Sequence, residues 1–428
     1  MKKNVLIISY SYPPNNVAGA QRPYALAKYL DKTKYNVTVI TCQNPDLPIG
    51  INENFDPSLD GVELVFVKSK VGNVGGNLRS DNKKQDVISS FFSRIKTILF
   101  RIGQSLIFPD KGIFWYYNVK TFLRKNNELI RNIDIIFSTS PVVTNHQIAY
   151  FIKRKNKKIE WIADFRDFNY VEHWQFKKGI KAFLHKKLEY SIIKESTYLT
   201  FVTQTMQFAY QNFYPHYQNK MYCVYNGLEK IDFPNVSHCF DKKLTFFYAG
   251  SFYNGLRSPF PFLQLLDNAF KNNILQPDEV ELQIAGTVDE VLKFEMKRYK
   301  SFECVVFLGN LPRAEVVNYM CKATFLWLIV ANIKTHYQTI PIKLFEYIAA
   351  RRPIVNFAPI ASESSQIIQE KQLGYNFDTL NTNLNNDHTM FLALVNKYRE
   401  GQYNSFLPNE NLEAFTWEKQ MQKINDLI

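Results

Sequence analysis

The amino-acid sequence predicts an α/β protein built from two doubly wound, Rossmann-like domains, and two observations carry that prediction. Short apolar runs bounded by turn residues alternate with helical stretches, as parallel α/β sheets require, and the alternation starts afresh near the middle of the chain. At 428 residues the chain is also about two to three times the length of an ordinary domain.

In the first half the strand-like runs are 5–9, 36–41, 62–67, 133–138, 159–163 and 199–202, with helices expected at 21–30 and 145–153. The runs at 5 and 37 straddle the first helix, which gives a βαβ opening. After Asn226-Gly227 the runs are 244–249, 281–285, 304–308, 323–329 and 353–357, separated by helices at 261–271, 313–321 and 342–350. Asn226-Gly227 and Asp232-Phe233-Pro234 punctuate a linker near 225–240. The expected domains are therefore 1–225 and 240–408, followed by a helical segment, 409–428, that returns to the first domain. The chain has no repeat of 20 to 50 residues, which excludes solenoids and propellers.

Composition narrows the class. With 46% hydrophobic and 21% charged residues the chain is an ordinary globular protein. Cys42, Cys223, Cys239, Cys304 and Cys321 are scattered without zinc-ligand spacing, so they read as reduced thiols in a cytoplasmic protein, and no metal is expected. The apolar run after Met1-Lys2-Lys3-Asn4 is too short for a signal peptide and suits a first strand. No stretch reaches the roughly 20 apolar residues that span a bilayer; the most apolar, 323–331, fits a buried strand.

The formal charge of +13 is unevenly spread: 68–125 holds twelve Lys/Arg against Asp81, Asp86 and Asp110, a net +9. Such a surplus asks for an anionic partner. Within it, Ile88, Phe91, Phe92, Ile95, Ile98, Leu99, Ile102 and Leu106 recur at helical spacing, while Arg94 and Arg101 share another face. This amphipathic basic helix is expected to dock on an anionic membrane surface from the cytoplasmic side. No RNA- or DNA-binding motif accompanies the charge, so nucleic acid is not an expected partner.

Three motifs carry chemistry. The loop from Tyr12-Pro13-Pro14 through Gly19 to Arg22 follows the first strand and opens the first helix, where a glycine and free N–H groups suit a phosphate or sugar oxygen. G-x-G-x-x-G is absent, which argues against a nicotinamide or flavin cofactor. In the second half, Tyr248-Ala249-Gly250-Ser251 ends a strand and Arg257 follows, a turn plus guanidinium suited to a diphosphate. The strongest signal is 339–355, where Lys343 and Glu346 stand three apart near a helix N-terminus while Leu344, Phe345 and Ile348 can face the core. Lys343 suits a phosphate and Glu346 ribose hydroxyls; the plain alternative is a surface ion pair between them.

The run Pro341-x-Lys343-Leu344-Phe345-Glu346-Tyr347, continued to Arg352-Pro353-Ile354, resembles the donor-site helix of family 4 glycosyltransferases, retaining enzymes of the GT-B fold. The resemblance extends in order along the chain through Tyr12-Pro13-Pro14, Gly19 and Arg22, Ser138-Thr139-Ser140-Pro141 before His146, Asp164-Phe165-Arg166-Asp167, Asn226-Gly227, 248–257 and Phe415-Thr416-Trp417. It implies two domains facing across a cleft, with the nucleotide-sugar donor held by the second and the acceptor by the first. It departs at Gln338, eight positions before Glu346, where the family often has a first glutamate; glutamine can still hydrogen-bond sugar hydroxyls. It also departs at 164–167, where many members carry a His. A similar Arg-Asp pair occurs in subfamilies acting on bacterial surface glycans such as capsule or O-antigen, which makes Asp167 the expected acceptor-side group.

The resemblance thus implies transfer of a sugar, with retention, from a nucleotide sugar to a hydroxyl of a glycan carried on a polyprenyl diphosphate. Asp167 and Glu346 are the expected catalytic groups. Gly250, Ser251, Arg257, Gln338, Lys343 and Glu346 are expected to bind the donor, and Gly19, Arg22, His146 and Arg166 to line the acceptor or phosphate loop. No protein nucleophile, metal or cofactor is required, because the leaving diphosphate can accept the acceptor's proton. A sugar-nucleotide epimerase of the same fold and a non-catalytic glycosyltransferase-like subunit are the alternatives.

Overall fold

The computed structural model describes residues 2–15, 17–45, 56–69, 107–171, 179–229, 243–253, 255–380, 384–401 and 411–428. The basic helix expected at 88–106 lies outside them. The chain divides into two compact units: Met1–Phe201 with Gln207–Val224 and Met421–Ile428, and Val202–Met206 with Tyr225–Gln420.

The first unit is built on a seven-stranded parallel sheet: β1 (Lys3–Ser9), β2 (Tyr35–Cys42), β3 (Val62–Val67), β4 (Ile135–Thr139), β5 (Glu160–Phe165), β6 (Tyr198–Phe201) and β7 (Met221–Cys223). Their order in space is β3-β2-β1-β4-β5-β6-β7. The central strands are apolar on both faces, as a sheet covered on both sides requires: Leu6, Ile7, Ile8, Ile136 and Trp161 are each at most 1% exposed. Order reverses between β1 and β4, so their carboxyl ends open a crevice, the usual ligand position in such sheets. The chain's last residues belong to this unit, where Asn425 donates to the Tyr29 carbonyl at 3.3 Å.

The second unit has a six-stranded parallel sheet: β8 (Leu244–Ala249), β9 (Val280–Ala285), β10 (Val305–Gly309), β11 (Phe325–Ile329), β12 (Ile354–Ala358) and β13 (Gly374–Asp378). The order is β10-β9-β8-β11-β12-β13, with the reversal between β8 and β11. Much of the chain's phenylalanine is structural here. Phe246 stacks on Phe325 at 5.2 Å between centroids, and Phe262 meets the Trp327 ring edge-on at 5.0 Å.

Two motifs far apart in sequence meet in this unit. Leu228 donates to the Phe415 carbonyl and Trp417 to the Leu228 carbonyl, at 3.0 and 3.1 Å. Gly227 is needed at that crossing, because a Cβ there would sit 2.6 Å from the Trp417 nitrogen.

Candidate active site

In the second unit, adjacent strands leave the sheet through glycines. Gly250, Gly286 and Gly309, at the carboxyl ends of β8, β9 and β10, have φ of +129°, +130° and +68°. Gly250 donates to the Ala285 carbonyl and Gly286 to the Gly309 carbonyl, both at 2.7 Å. Backbone approaches backbone so closely that a Cβ on Gly286 would lie 2.5 Å from the Gly250 oxygen. The result is a floor of main chain beside the β8/β11 crevice.

Helix Ile342–Ala349 points its first turn at that floor. Its apolar face, Leu344, Phe345 and Ile348, is buried, and the Tyr347 hydroxyl donates to the Trp327 carbonyl at 3.1 Å, fixing the helix to β11. Lys343 is thereby held over Gly250 so tightly that a Cβ on the glycine would overlap its ammonium. Nζ lies 4.1 Å from the centroid of the Tyr248 ring and is buried, without a hydrogen-bond partner among the described residues. Burial first, and the Arg257 guanidinium second, pull its pKa from 10.5 down to about 7, against the opposing pull of Glu346. A buried ammonium without an acceptor among the described residues, with a second cation nearby, is an environment that favours an anion.

Arg257 belongs to the same cluster. Its guanidinium stacks 4.6 Å above the Tyr253 ring, and the Tyr248 hydroxyl donates to the Ser251 carbonyl at 2.8 Å. Ser251 holds the turn, its hydroxyl accepting from the Tyr253 N–H at 3.1 Å. Lys343 and Glu346 do not bond each other; the Glu346 carboxylate pairs with Arg313, the first residue of helix Arg313–Lys322. No sequence motif singles out Arg313, although its position opening a helix just after β10 is a usable signal. Gln338 is 7% exposed, and its buried side-chain oxygen has no hydrogen-bond partner among the described residues.

The first unit brings Gly19, Ser140 and Arg166 together at the β1/β4 crevice. Arg166 donates to the Gly19 carbonyl at 2.7 Å and to the Ser140 carbonyl, so the loops after β1, β4 and β5 are tied by a single guanidinium. Burial draws its pKa to about 10, offset by Asp164 and Asp167, and it stays charged at neutral pH. Asp167 follows with an exposed carboxylate.

Arg22 and His146 are placed differently from the ligand-facing expectation. Arg22 is 1% exposed and donates through Nε and Nη2 to Asp164, at 2.8 to 3.1 Å. Burial alone would raise the Asp164 carboxyl, but Arg22, Thr139 and Thr200 outweigh it and hold it below its usual value. His146 is 0% exposed, with Nδ1 2.8 Å from the Ser138 hydroxyl, which also accepts from Trp161 at 2.8 Å. Burial lowers its pKa to about 3, so the imidazole is neutral. Both residues brace the strand ends from beneath, because each lies on the inward face of its helix.

The loop that continues from Asp167 is held by a buried carboxylate. Glu189 accepts from the Tyr170 N–H at 2.7 Å and from the Tyr210 and Tyr214 hydroxyls at 3.1 and 2.9 Å, and burial lifts its pKa to about 7.

No protein-family model matches the chain. No curated protein matches it in sequence. Solved structures do match. Sucrose-phosphate synthase from Thermosynechococcus elongatus aligns with a TM-score of 0.61 at 13% identity, over 100% of this chain and 98% of that one. A glycosyltransferase from Rickettsia africae ESF-5 aligns at 0.55 with 11% identity, over 100% and 97%. A Listeria monocytogenes protein assigned as a UDP-N-acetylglucosamine 2-epimerase aligns at 0.52 with 12% identity, over 99% and 95%. These likenesses show the fold: two parallel-sheet α/β domains of the GT-B kind.

Proposed function

We propose that the chain is a retaining glycosyltransferase that moves a sugar from a nucleotide-sugar donor to a hydroxyl of a glycan acceptor. The observation that carries this reading is the buried Lys343 ammonium, unpartnered among the described residues, beside Arg257 and above main chain that only glycine permits. A diphosphate is the ligand that answers it. Its oxygens would take the Lys343 proton donors and the Arg257 fork, and the same two cations would stabilise the charge that develops as the sugar–phosphate bond breaks. Glu346 would accept from ribose hydroxyls, with Arg313 orienting its carboxylate. The Gln338 amide oxygen would accept from a hydroxyl of the donor sugar.

In the same proposal Asp167 receives the acceptor hydroxyl, and the Gly19, Ser140 and Arg166 cluster shapes the surface on which the acceptor lies. Arg22 and His146 hold that surface from below. A lipid-linked acceptor in surface-polysaccharide synthesis, reached from the cytoplasmic leaflet, would account for the basic segment 68–125. Among the described residues no helix is long and apolar enough to cross a membrane. Salt-sensitive sedimentation with anionic liposomes tests that part.

The enzymatic reading is tested by product analysis on a panel of nucleotide sugars, with Glu346→Ala as control. Release of nucleoside diphosphate that depends on an acceptor, with a new glycosidic product and loss of both in the control, is the expected outcome. The fold likeness to the assigned epimerase supplies the second reading. An altered nucleotide sugar formed without any acceptor would favour it.

A further inference from the structure

The first unit carries a second cationic site at the opposite end of its sheet. A cavity of about 680 Å³ is lined by Arg124, Asn127, Ile130, Arg131, Phe151, Lys155, Asn156 and Lys158. Arg124 lies in the last turn of helix Ile113–Lys125, Arg131 in that of helix Asn127–Asn132 and Lys155 in that of helix Thr144–Lys155. Lys158 follows two residues before β5. The second and third of those helices end just ahead of the amino ends of β4 and β5, whereas Ser140 and Arg166 stand at the carboxyl ends. One strand length, roughly 17 Å, separates the two places.

Arg124, Arg131 and Lys155 each have a local reason to be there, since the final carbonyls of a helix attract positive charge. That reason accounts for them singly but leaves their charges gathered around one space. No carboxylate lines the cavity, and among the described residues none of the four cations forms an ion pair or a side-chain hydrogen bond. Glu128, on the same short helix as Arg131, is exposed and pairs with neither arginine. The amides of Asn127 and Asn156 add neutral donors, and Ile130, 5% exposed, gives the cavity an apolar floor. The Phe151 face is covered by Lys120, 5.1 Å from its centroid, so a stacked base is not what the space is shaped for.

We infer that this cavity binds a multivalent phosphate, held by Arg124, Arg131, Lys155 and Lys158, as a site separate from the donor site. Its volume falls within the range of small-molecule sites, roughly 300–1,000 Å³, and two guanidiniums flanked by two ammoniums match several phosphate oxygens at once. The phosphate can come from a soluble polyphosphate or from a phosphomonoester headgroup of a lipid, and the two sources separate by experiment.

The test is calorimetric titration of the full chain with inorganic tripolyphosphate at low salt, together with sedimentation on vesicles of phosphatidylcholine with and without phosphatidic acid. Three variants are compared with the parent: Arg131→Ser/Lys158→Ser, Arg124→Ser/Lys155→Ser, and Lys343→Met for the donor site. The expected result is a tripolyphosphate equivalent that survives Lys343→Met and weakens at least about tenfold in either double variant. Phosphatidic-acid-dependent sedimentation lost in both double variants, without soluble binding, also supports the site and assigns its phosphate to lipid. All four surface positions are exposed, so a variant with unchanged melting temperature reports on binding alone. If tripolyphosphate and vesicle binding are the same in the double variants as in the parent, or are absent from the parent, the inference is overturned. Loss confined to Lys343→Met also overturns it while leaving the donor-site reading intact.

Discussion

Lys343→Met is expected to make the ligand-free protein more stable while abolishing donor binding. A lysine whose pKa falls from 10.5 to about 7 on folding carries roughly 5 kcal/mol of unfavourable charge burial when protonated. Methionine fills a similar volume and keeps the contact with the Tyr248 ring, giving up the cation–π attraction of roughly 2 kcal/mol. The net gain is then about 3 kcal/mol, or roughly 6–12 °C in melting temperature for a unit of this size. The sign with pH follows from proton counts. Below about pH 7 folded and unfolded chains both hold the proton, and the whole cost is present; as pH rises towards 10.5 the unfolded chain binds more protons, so the parent recovers stability and the variant's advantage shrinks. Glu189, lifted from 4.5 to about 7, changes stability with opposite sign in the adjoining window below about pH 7, so the quantity to read is the difference between variant and parent at each pH. Scanning calorimetry from about pH 6 to about pH 9.5 gives it. A destabilised variant at the acid end, or an advantage that does not decline with pH, would refute the reasoning.

Three other substitutions test separate parts of the account. Arg257→Ala should weaken nucleoside diphosphate binding about tenfold to a hundredfold with acceptor affinity unchanged, as titration of each ligand would show. Asp167→Asn should lower turnover and leave donor affinity within about twofold, since its proposed role is on the acceptor side; a selective loss of nucleotide binding would move the residue to the donor. Glu363→Ala should destabilise the second unit by about 2–5 kcal/mol in chemical denaturation, because it strips the acceptor from the N–H groups of Gln204 and Thr205 and the Tyr225 hydroxyl.

Much of the fold was legible because the central strands are unbroken apolar runs between turn residues. The helix expected at 261–271 spans Phe260–Lys271, and Leu344, Phe345 and Ile348 form the buried face of theirs. What escaped was weakly patterned. β7 is three residues long, and β13, Gly374–Asp378, is a half-buried edge strand with a single buried residue, so neither leaves an apolar run to read. Helix Ile180–Glu195 exposes Ile180 and Phe183 at 81% and 64% while burying Glu189 and His185, which reverses the pattern a helix is recognised by.

The site shows the same division. Gly250, Arg257 and Lys343 were readable from motif and spacing, and the structure brings them together. The Arg313–Glu346 pair was not, since it joins residues on two helices that only the fold makes neighbours. Nor was the burial of Arg22 and His146. A polar residue opening a helix looks the same in sequence whether it faces a ligand or, like Arg22 on Asp164, a buried partner.

The proposed role of the Lys343 ammonium is to hold the donor's diphosphate. It is tested most directly by calorimetric titration of nucleoside diphosphates in buffers of differing ionisation enthalpy. A phosphate beside Nζ restores the charged form, so binding at about pH 8 should take up about one proton per nucleotide, and Lys343→Met should lose both the uptake and the binding. Binding without proton uptake, or binding equal in parent and variant, would contradict the account.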